Sequence, residues 1–332
     1  MTKKKYLVLA ILAILSIITF MLVWIFKYRN LIDFNNIDKE LLFVLLKISR
    51  RRFIQMTAII ISIVLISISS LSFQTITNNR ILTPSVLGFD SIFIITQTLI
   101  VAFLGTKSIL YTNDTLNFVL TTSVMILVVL VMLTSLLRKN KNNIILLLLL
   151  GLVVTSLASS MSNFIQVLMN PEDFQQVISM TNVSINAINE KLVLPSLVAT
   201  IILVFLFFKE RNNYDVMALG EDVAKNLGVN YNKKTNKTLI LVTISTAIAT
   251  ALVGPLAFLG LIVVNLAREL SKSNKHRTLM VVSSLLAVIL MLGGHVILEI
   301  INLKTPVTII VNLIGGAYMI YLLVKENIHD WS

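Results

Sequence analysis

The sequence predicts an all-α, polytopic membrane protein with about ten transmembrane helices. Three observations carry that prediction. Hydrophobic residues make up 56% of the 332 residues and charged residues only 13%, about half the charged share of a soluble globular domain. The mean hydropathy is +0.89. Apolar runs recur along the whole length, and one of about 20 residues crosses a hydrocarbon core roughly 30 Å thick as a helix. Water is absent from that core, so every backbone donor and acceptor must pair internally, which excludes open sheets.

The runs fall at about 6–26, 55–73, 89–105, 117–137, 143–165, 192–208, 238–253, 256–271, 279–300 and 307–324, the third and eighth being short. The first follows MTKKK; it is too long for a signal-peptide core and no small-x-small cleavage site follows, so it reads as a retained span. Asp90 opens the third run, where a helix N-terminus favours an acid. The pieces between runs, of which 27–54, 166–191 and 209–237 are the longest, are too short for a soluble domain, so 1–332 reads as one membrane domain. Within 166–191, Asn170-Pro171-Glu172-Asp173 has the order cap, proline, then acids, and predicts an external helix lying on the surface.

Ten spans put both termini on one side. Taking that side as cytoplasmic places 18 of the 28 Lys and Arg inside and 10 outside, the sign required by the positive-inside rule. The net charge of +12 is therefore read as loop charge and not as a nucleic-acid surface. Lys27, Arg29, Lys39, Lys47, Arg50, Arg51 and Arg52 are the exception, a basic extracellular loop over 27–54. It suits either an acidic protein partner or anionic lipid. There is no cysteine, hence no disulfide, thiolate metal site or cysteine nucleophile. Gly105-Thr106-Lys107-Ser108 lacks the glycine before lysine that a phosphate-cradling loop needs.

The polar segment Ala218–Val229 stands among apolar runs. Asp215 can cap a helix there. Val216, Leu219, Val223 and Leu227 recur on one face, with Glu221, Asp222 and Lys225 elsewhere on the wheel. Gly220 weakens or bends such a helix, and Gly228 suits its C-terminal end. From periodicity alone the segment is either a helix resting on lipid headgroups or a docking element. Thr155, Ser159, Ser162 and Gln166 form a small polar face on the fifth span, which serves close helix packing or lines a weakly binding pathway. His295 and Glu299, four apart near the outer end of the ninth span, fit a local hydrogen bond, a proton relay, a metal contact or a docking contact; by themselves they make no zinc motif.

Four stretches in register resemble FecCD-type ABC importer permeases, which carry siderophore iron, haem or cobalamin. ALGEDVAKNLGV (Ala218–Val229) is similar to their cytoplasmic coupling segment. GPLAFLGLIVVNLAR (Gly254–Arg268) resembles GPIGFIGLxxPHxxR, and QTITNNRILTPSVLG (Gln74–Gly88) resembles QxxxxNPLAxPxxLG. Lys304–Lys325 resembles the C-terminal ELPxGxxTxxxGxPxFxxLL. The resemblance covers roughly residues 45–325. Val264-Asn265 replaces the family's PH pair and Asn79-Arg80 its NP pair, whereas Arg268 and Pro84 are kept; the VVNLAR form looks like the catecholate-siderophore branch.

The resemblance implies a type II importer permease working as a dimer, with a second copy or a related chain, in a bacterial cell membrane. It implies a separate cytoplasmic ATPase dimer holding ATP and Mg, with no cofactor, metal or catalytic residue in this chain. Ala218, Leu219, Gly220, Glu221, Asp222, Ala224, Leu227 and Gly228 fall on the segment that docks the ATPase. Arg52-Phe53-Ile54-Gln55 aligns with an RLPR pair that meets glutamates of an extracellular binding protein; the second arginine is missing, and Arg50, Arg51 and Lys304 are candidates to supply charge. Gln74, Pro84, Gly88, Gly254, Pro255 and Gly260 fall on the motifs beside the pathway, joined by Thr155, Ser159 and Ser162. The expected function is passage of an iron-siderophore complex. The alternatives are haem or cobalamin, or a proton-coupled secondary transporter using His295 and Glu299.

Overall fold

The computed structural model describes residues 3–28, 39–139, 144–181, 188–303, 305 and 307–329, and among these there are helices and no strands. The helices are α1 (Lys3–Tyr28), α2 (Lys39–Ile76), α3 (Phe89–Leu99), α4 (Ile109–Thr112), α5 (Asp114–Lys139), α6 (Ile144–Leu168), α7 (Pro171–Thr181), α8 (Glu190–Met217), α9 (Glu221–Asn226), α10 (Tyr231–Val253), α11 (Leu259–Ser271), α12 (His276–Ile300) and α13 (Val307–His329). A 3-10 turn at Pro84–Leu87 precedes α3, and a π-helical stretch at Ile100–Leu104 prolongs it. Each expected span coincides with a helix. Among the described residues, seven helices are long and apolar enough to cross a membrane, while Phe89–Leu104 and Val307–Tyr318 are shorter apolar pieces. At 13 residues, α11 reaches only about 20 Å.

The expected basic loop over 27–54 is corrected from Lys39 onward. No glycine or proline interrupts 39–76, and that whole stretch is the single helix α2 of 38 residues. At 1.5 Å per residue it is about 57 Å long, well beyond the hydrocarbon thickness. Lys304, named as a docking candidate, lies outside the described residues.

The core sits around α2, which packs on α8, α10, α11 and α12. The apolar window of α2 is 83% buried, against 17% for α6, so α2 is the axis of the bundle and α6 lies at its edge. Small side chains make this possible. Ser62, Ser67, Ser69, Ser70 and Ser72 are all buried along α2, and Ser67 donates across to Ser283 Oγ on α12 at 2.8 Å. In lipid no hydrophobic force separates helix from solvent, so close approach and interhelical hydrogen bonds do that work. Gly260 on α11 marks the tightest approach: a Cβ there collides with the Ser70 side chain. Gly260→Val is expected to cost about 1–3 kcal/mol, read as a lower thermal midpoint in detergent. Gly316→Ala is the control, because a Cβ at Gly316 meets nothing within 4 Å.

Candidate functional site

The segment Ala218–Val229 is not one bent helix. α8 ends at Met217, Gly220 takes φ 101° and ψ 163°, and α9 begins at Glu221. A side chain strains that backbone, so the chain turns fully at Gly220. Glu221 and Asp222 occupy the first turn of α9, where acids offset the orphan amides. At the other end the Gly228 amide bonds Lys225 O at 2.9 Å and the Val229 amide bonds Ala224 O at 3.0 Å, with Gly228 at φ 83°. This is the Schellman ending. Lys225 pairs with Glu221 at 2.6 Å, and that hydrogen bond raises the lysine pKa. Ala224 is fully buried, whereas Leu219, Val223 and Leu227 are 61%, 44% and 61% exposed. The small residue faces the protein and three large apolar ones face away from it.

Both stems of this element are fixed. The buried Glu210, near the end of α8, accepts from Lys234 Nζ at 2.7 Å, Lys237 Nζ at 2.5 Å and Asn213 Nδ2 at 2.6 Å. It ties α8 to the start of α10, whose first amides are capped by Asn230. Asp215 does act as a helix cap, but of a different helix from the one expected. Its Oδ1 accepts from the His276 amide at 2.6 Å, at the start of α12, and from His276 Nδ1 at 2.7 Å.

The motif residues of 74–88 and 254–268 come together at the C-terminal end of α2. Gln74 Oε1 accepts from Arg268 Nη1 at 2.9 Å. Asn265, in place of the expected histidine, donates to Arg80 O at 3.1 Å and Leu261 O at 3.0 Å, so α11 holds the turn that follows α2. Pro84 is buried in the 3-10 turn, and Gly88 starts α3 at φ 91°. Gly254 ends α10 at φ 93°, with Pro255 directly after it.

The polar face of α6 packs inward onto α3. Ser159 bonds Ser91 at 2.9 Å, and Ser162 bonds Thr98 at 2.9 Å. Gln166 Nε2 donates to both Thr98 and Ser162 at 2.9 Å, while Thr155 lies against Gly88. The polar side chains that face away from the protein are one residue further on: Ser156, Ser160 and Asn163 are exposed at i, i+4 and i+7. The sequence carries both rows side by side, and only packing tells them apart.

In the N-terminal half of α2 the arginines separate. Arg50 pairs with Glu190, the first residue of α8, and both are exposed. Arg51 is exposed. Arg52 turns inward: its Nη1 donates to Glu299 Oε2 at 2.9 Å, its Nη2 bonds the other carboxylate oxygen, and its guanidinium stands 5.3 Å from the Phe20 ring centroid. The expected local bond between His295 and Glu299 gives way to this ion pair. His295 instead packs on Phe20, with ring centroids 5.4 Å apart.

The family model of the FecCD transport family matches residues 6–325. The chain belongs to the FecCD transport family. The match takes in α1 as well as the four motifs, so the first span is part of the FecCD unit. Among curated proteins the chain is 40% identical over 278 residues to the petrobactin import system permease protein YclO of Bacillus subtilis, covering 83% of this chain and 88% of that one. It is 30% identical to the petrobactin import system permease protein FatC of Bacillus anthracis, covering 84% and 79%. Among solved structures, an inward-facing conformation of a putative metal-chelate type ABC transporter matches with TM-score 0.78 at 18% identity, covering 98% of this chain and all of that one. That likeness shows the fold. As a FecCD member the chain is a multi-pass transport permease. No group of three or more metal-ligating side chains occurs among the described residues.

Proposed function

We propose that this chain is the membrane-spanning subunit of an ATP-driven importer of ferric siderophores in a bacterial cell membrane, with both termini cytoplasmic. Petrobactin, the cargo named for both relatives above, is the first candidate. The observation that carries the mechanical part is the α9 surface. Val223 on α9, with Leu219 before it and Leu227 after it, is exposed on an element whose stems are fixed by Glu210 and Asp215. Such a knob is rigid enough to transmit a push and apolar enough to fill a groove on a separate ATPase dimer, where ATP and Mg act. The exposed row Ser156, Ser160 and Asn163 on α6 supports a pathway at the interface with a second permease, whether a copy or a related chain. A secondary-transport reading loses its relay, because both oxygens of Glu299 are engaged by Arg52.

Uptake of radioactive iron with a panel of siderophores, haem and cobalamin, in a strain lacking this chain, tests the reading. The expected result is vanadate-sensitive uptake of ferric petrobactin or a close analogue restored by the chain. Uptake insensitive to vanadate and abolished by a protonophore rejects it. The exposed Arg50 and Arg51 suit an acidic extracellular binding protein. Exchange of both for Glu is expected to slow association at low salt by about tenfold or more, as rim charges act mainly on on-rate. Surface-plasmon measurement against the binding protein checks this. An unchanged rate favours contact with anionic lipid instead.

A further inference from the structure

One buried imidazole joins three helices next to α9. His276 is 2% exposed. Its Nδ1 donates to Asp215, two residues before the end of α8, at 2.7 Å. Its Nε2 lies 2.7 Å from Thr75 Oγ1, in the last turn of α2. The ring packs on Tyr214 of α8, with centroids 5.6 Å apart. The next residue of α2 is held from the far side of α9: Tyr231, first residue of α10, donates its hydroxyl to Ile76 O at 3.2 Å. Thus the helix entering α9 and the helix leaving it both grip the last turn of α2, one through His276 and one through Tyr231. Directly beyond that turn come Asn79 and Arg80, pinned in turn by Asn265.

We infer that Asp215, His276 and Thr75 form a buried linkage that passes displacement of α9 to the inner end of α2 and the turn 77–88, with His276 as the positioning residue for coupling. The physical reason is stiffness. Thr75 is buried, its hydroxyl has Leu71 O at 2.9 Å as the other acceptor in reach, and the imidazole is clamped at both nitrogens. A movement of the α8 end therefore cannot be absorbed by side-chain rotation without breaking buried hydrogen bonds. Packed, fully bonded elements switch between arrangements and do not deform continuously. The linkage rests on the reading of α9 as the ATPase-docking helix.

The test uses the whole importer, permease with its ATPase and binding protein, in proteoliposomes with radioactive ferric petrobactin. ATP hydrolysed per iron transported is measured for Thr75→Val, Thr75→Ser, Asp215→Asn and His276→Asn. Thr75→Val keeps the shape and removes the hydroxyl. It is expected to raise ATP per iron at least about tenfold with an unchanged melting temperature, and Thr75→Ser is expected to restore the wild-type ratio. Asp215→Asn and His276→Asn cut the same chain at its other links and are expected to act alike, so each variant that folds reports on the linkage. The absence of cysteine also allows a single spin label at Arg80→Cys. Its nucleotide-dependent distance change between the two permeases is expected to vanish in Thr75→Val. Wild-type ratios and wild-type label distances in the folded variants overturn the linkage. If Val223→Asp also transports normally, the docking role of α9 fails as well, which separates the two failures.

Discussion

Val223→Asp on α9 is expected to reduce ATP-driven uptake at least about 100-fold while leaving the protein folded in the membrane. Val223 is 44% exposed and points away from the protein, as do Leu219 and Leu227. An exposed substitution on a six-residue helix held by two anchored stems changes folding stability little. In a docked groove the new carboxylate has no partner, and burying an unpaired charge costs about 3–5 kcal/mol. Each 1.4 kcal/mol is a factor of ten, so docking is lost at cellular concentrations. Glu221→Arg acts in the same direction from the rim. It breaks only the exposed pair with Lys225, yet puts a cation at the helix start. Ala224→Asp is the contrast, because Ala224 is fully buried and its loss is expected to unfold the element itself. Uptake and membrane yield measured in parallel separate the outcomes. Normal uptake by folded Val223→Asp removes the docking assignment.

Arg52→Ala is expected to be strongly destabilising, by about 3–5 kcal/mol. The side chains of Arg52 and Glu299 are only 15% and 12% exposed, so removing the arginine leaves a carboxylate that water barely reaches, and the stacking on Phe20 is lost too. The pair joins α2 to α12, and Phe20 brings in α1. The double change Arg52→Met with Glu299→Leu removes both charges while keeping bulk, and is expected to recover most of the loss, since apolar replacements of buried pairs are often neutral. Thermal unfolding in detergent of the two singles and the double gives the coupling energy. The exposed Arg50–Glu190 pair is expected to contribute at most about 1 kcal/mol. A folded, stable Arg52→Ala would falsify the structural role of that arginine.

Much of the fold was legible in the sequence, because membrane insertion is governed by the local quantities that a sequence displays: run length, hydropathy and loop charge. Each apolar run became a helix, and Pro171 opened α7 as its neighbours indicated. The ending at Gly228 was equally legible, since a left-handed residue after a helix is a backbone requirement. What the sequence did not show is the remote partner of each polar side chain: His276 for Asp215, Glu299 for Arg52, and Ser91 and Thr98 for Ser159 and Ser162. His276 carried no signal at all, being a lone histidine among loop lysines.

The sequence by itself determined an all-helical membrane protein, its order of spans and the absence of a phosphate-binding loop. These follow from the solvent and from single-residue backbone preferences. The tertiary structure alone decided which hydroxyl row of α6 faces outward, which arginine stays exposed, and that α8, α10 and α12 grip the end of α2. Those outcomes depend on which helices become neighbours, and neighbours in a bundle are chosen by close packing of small residues between segments that the chain order keeps far apart.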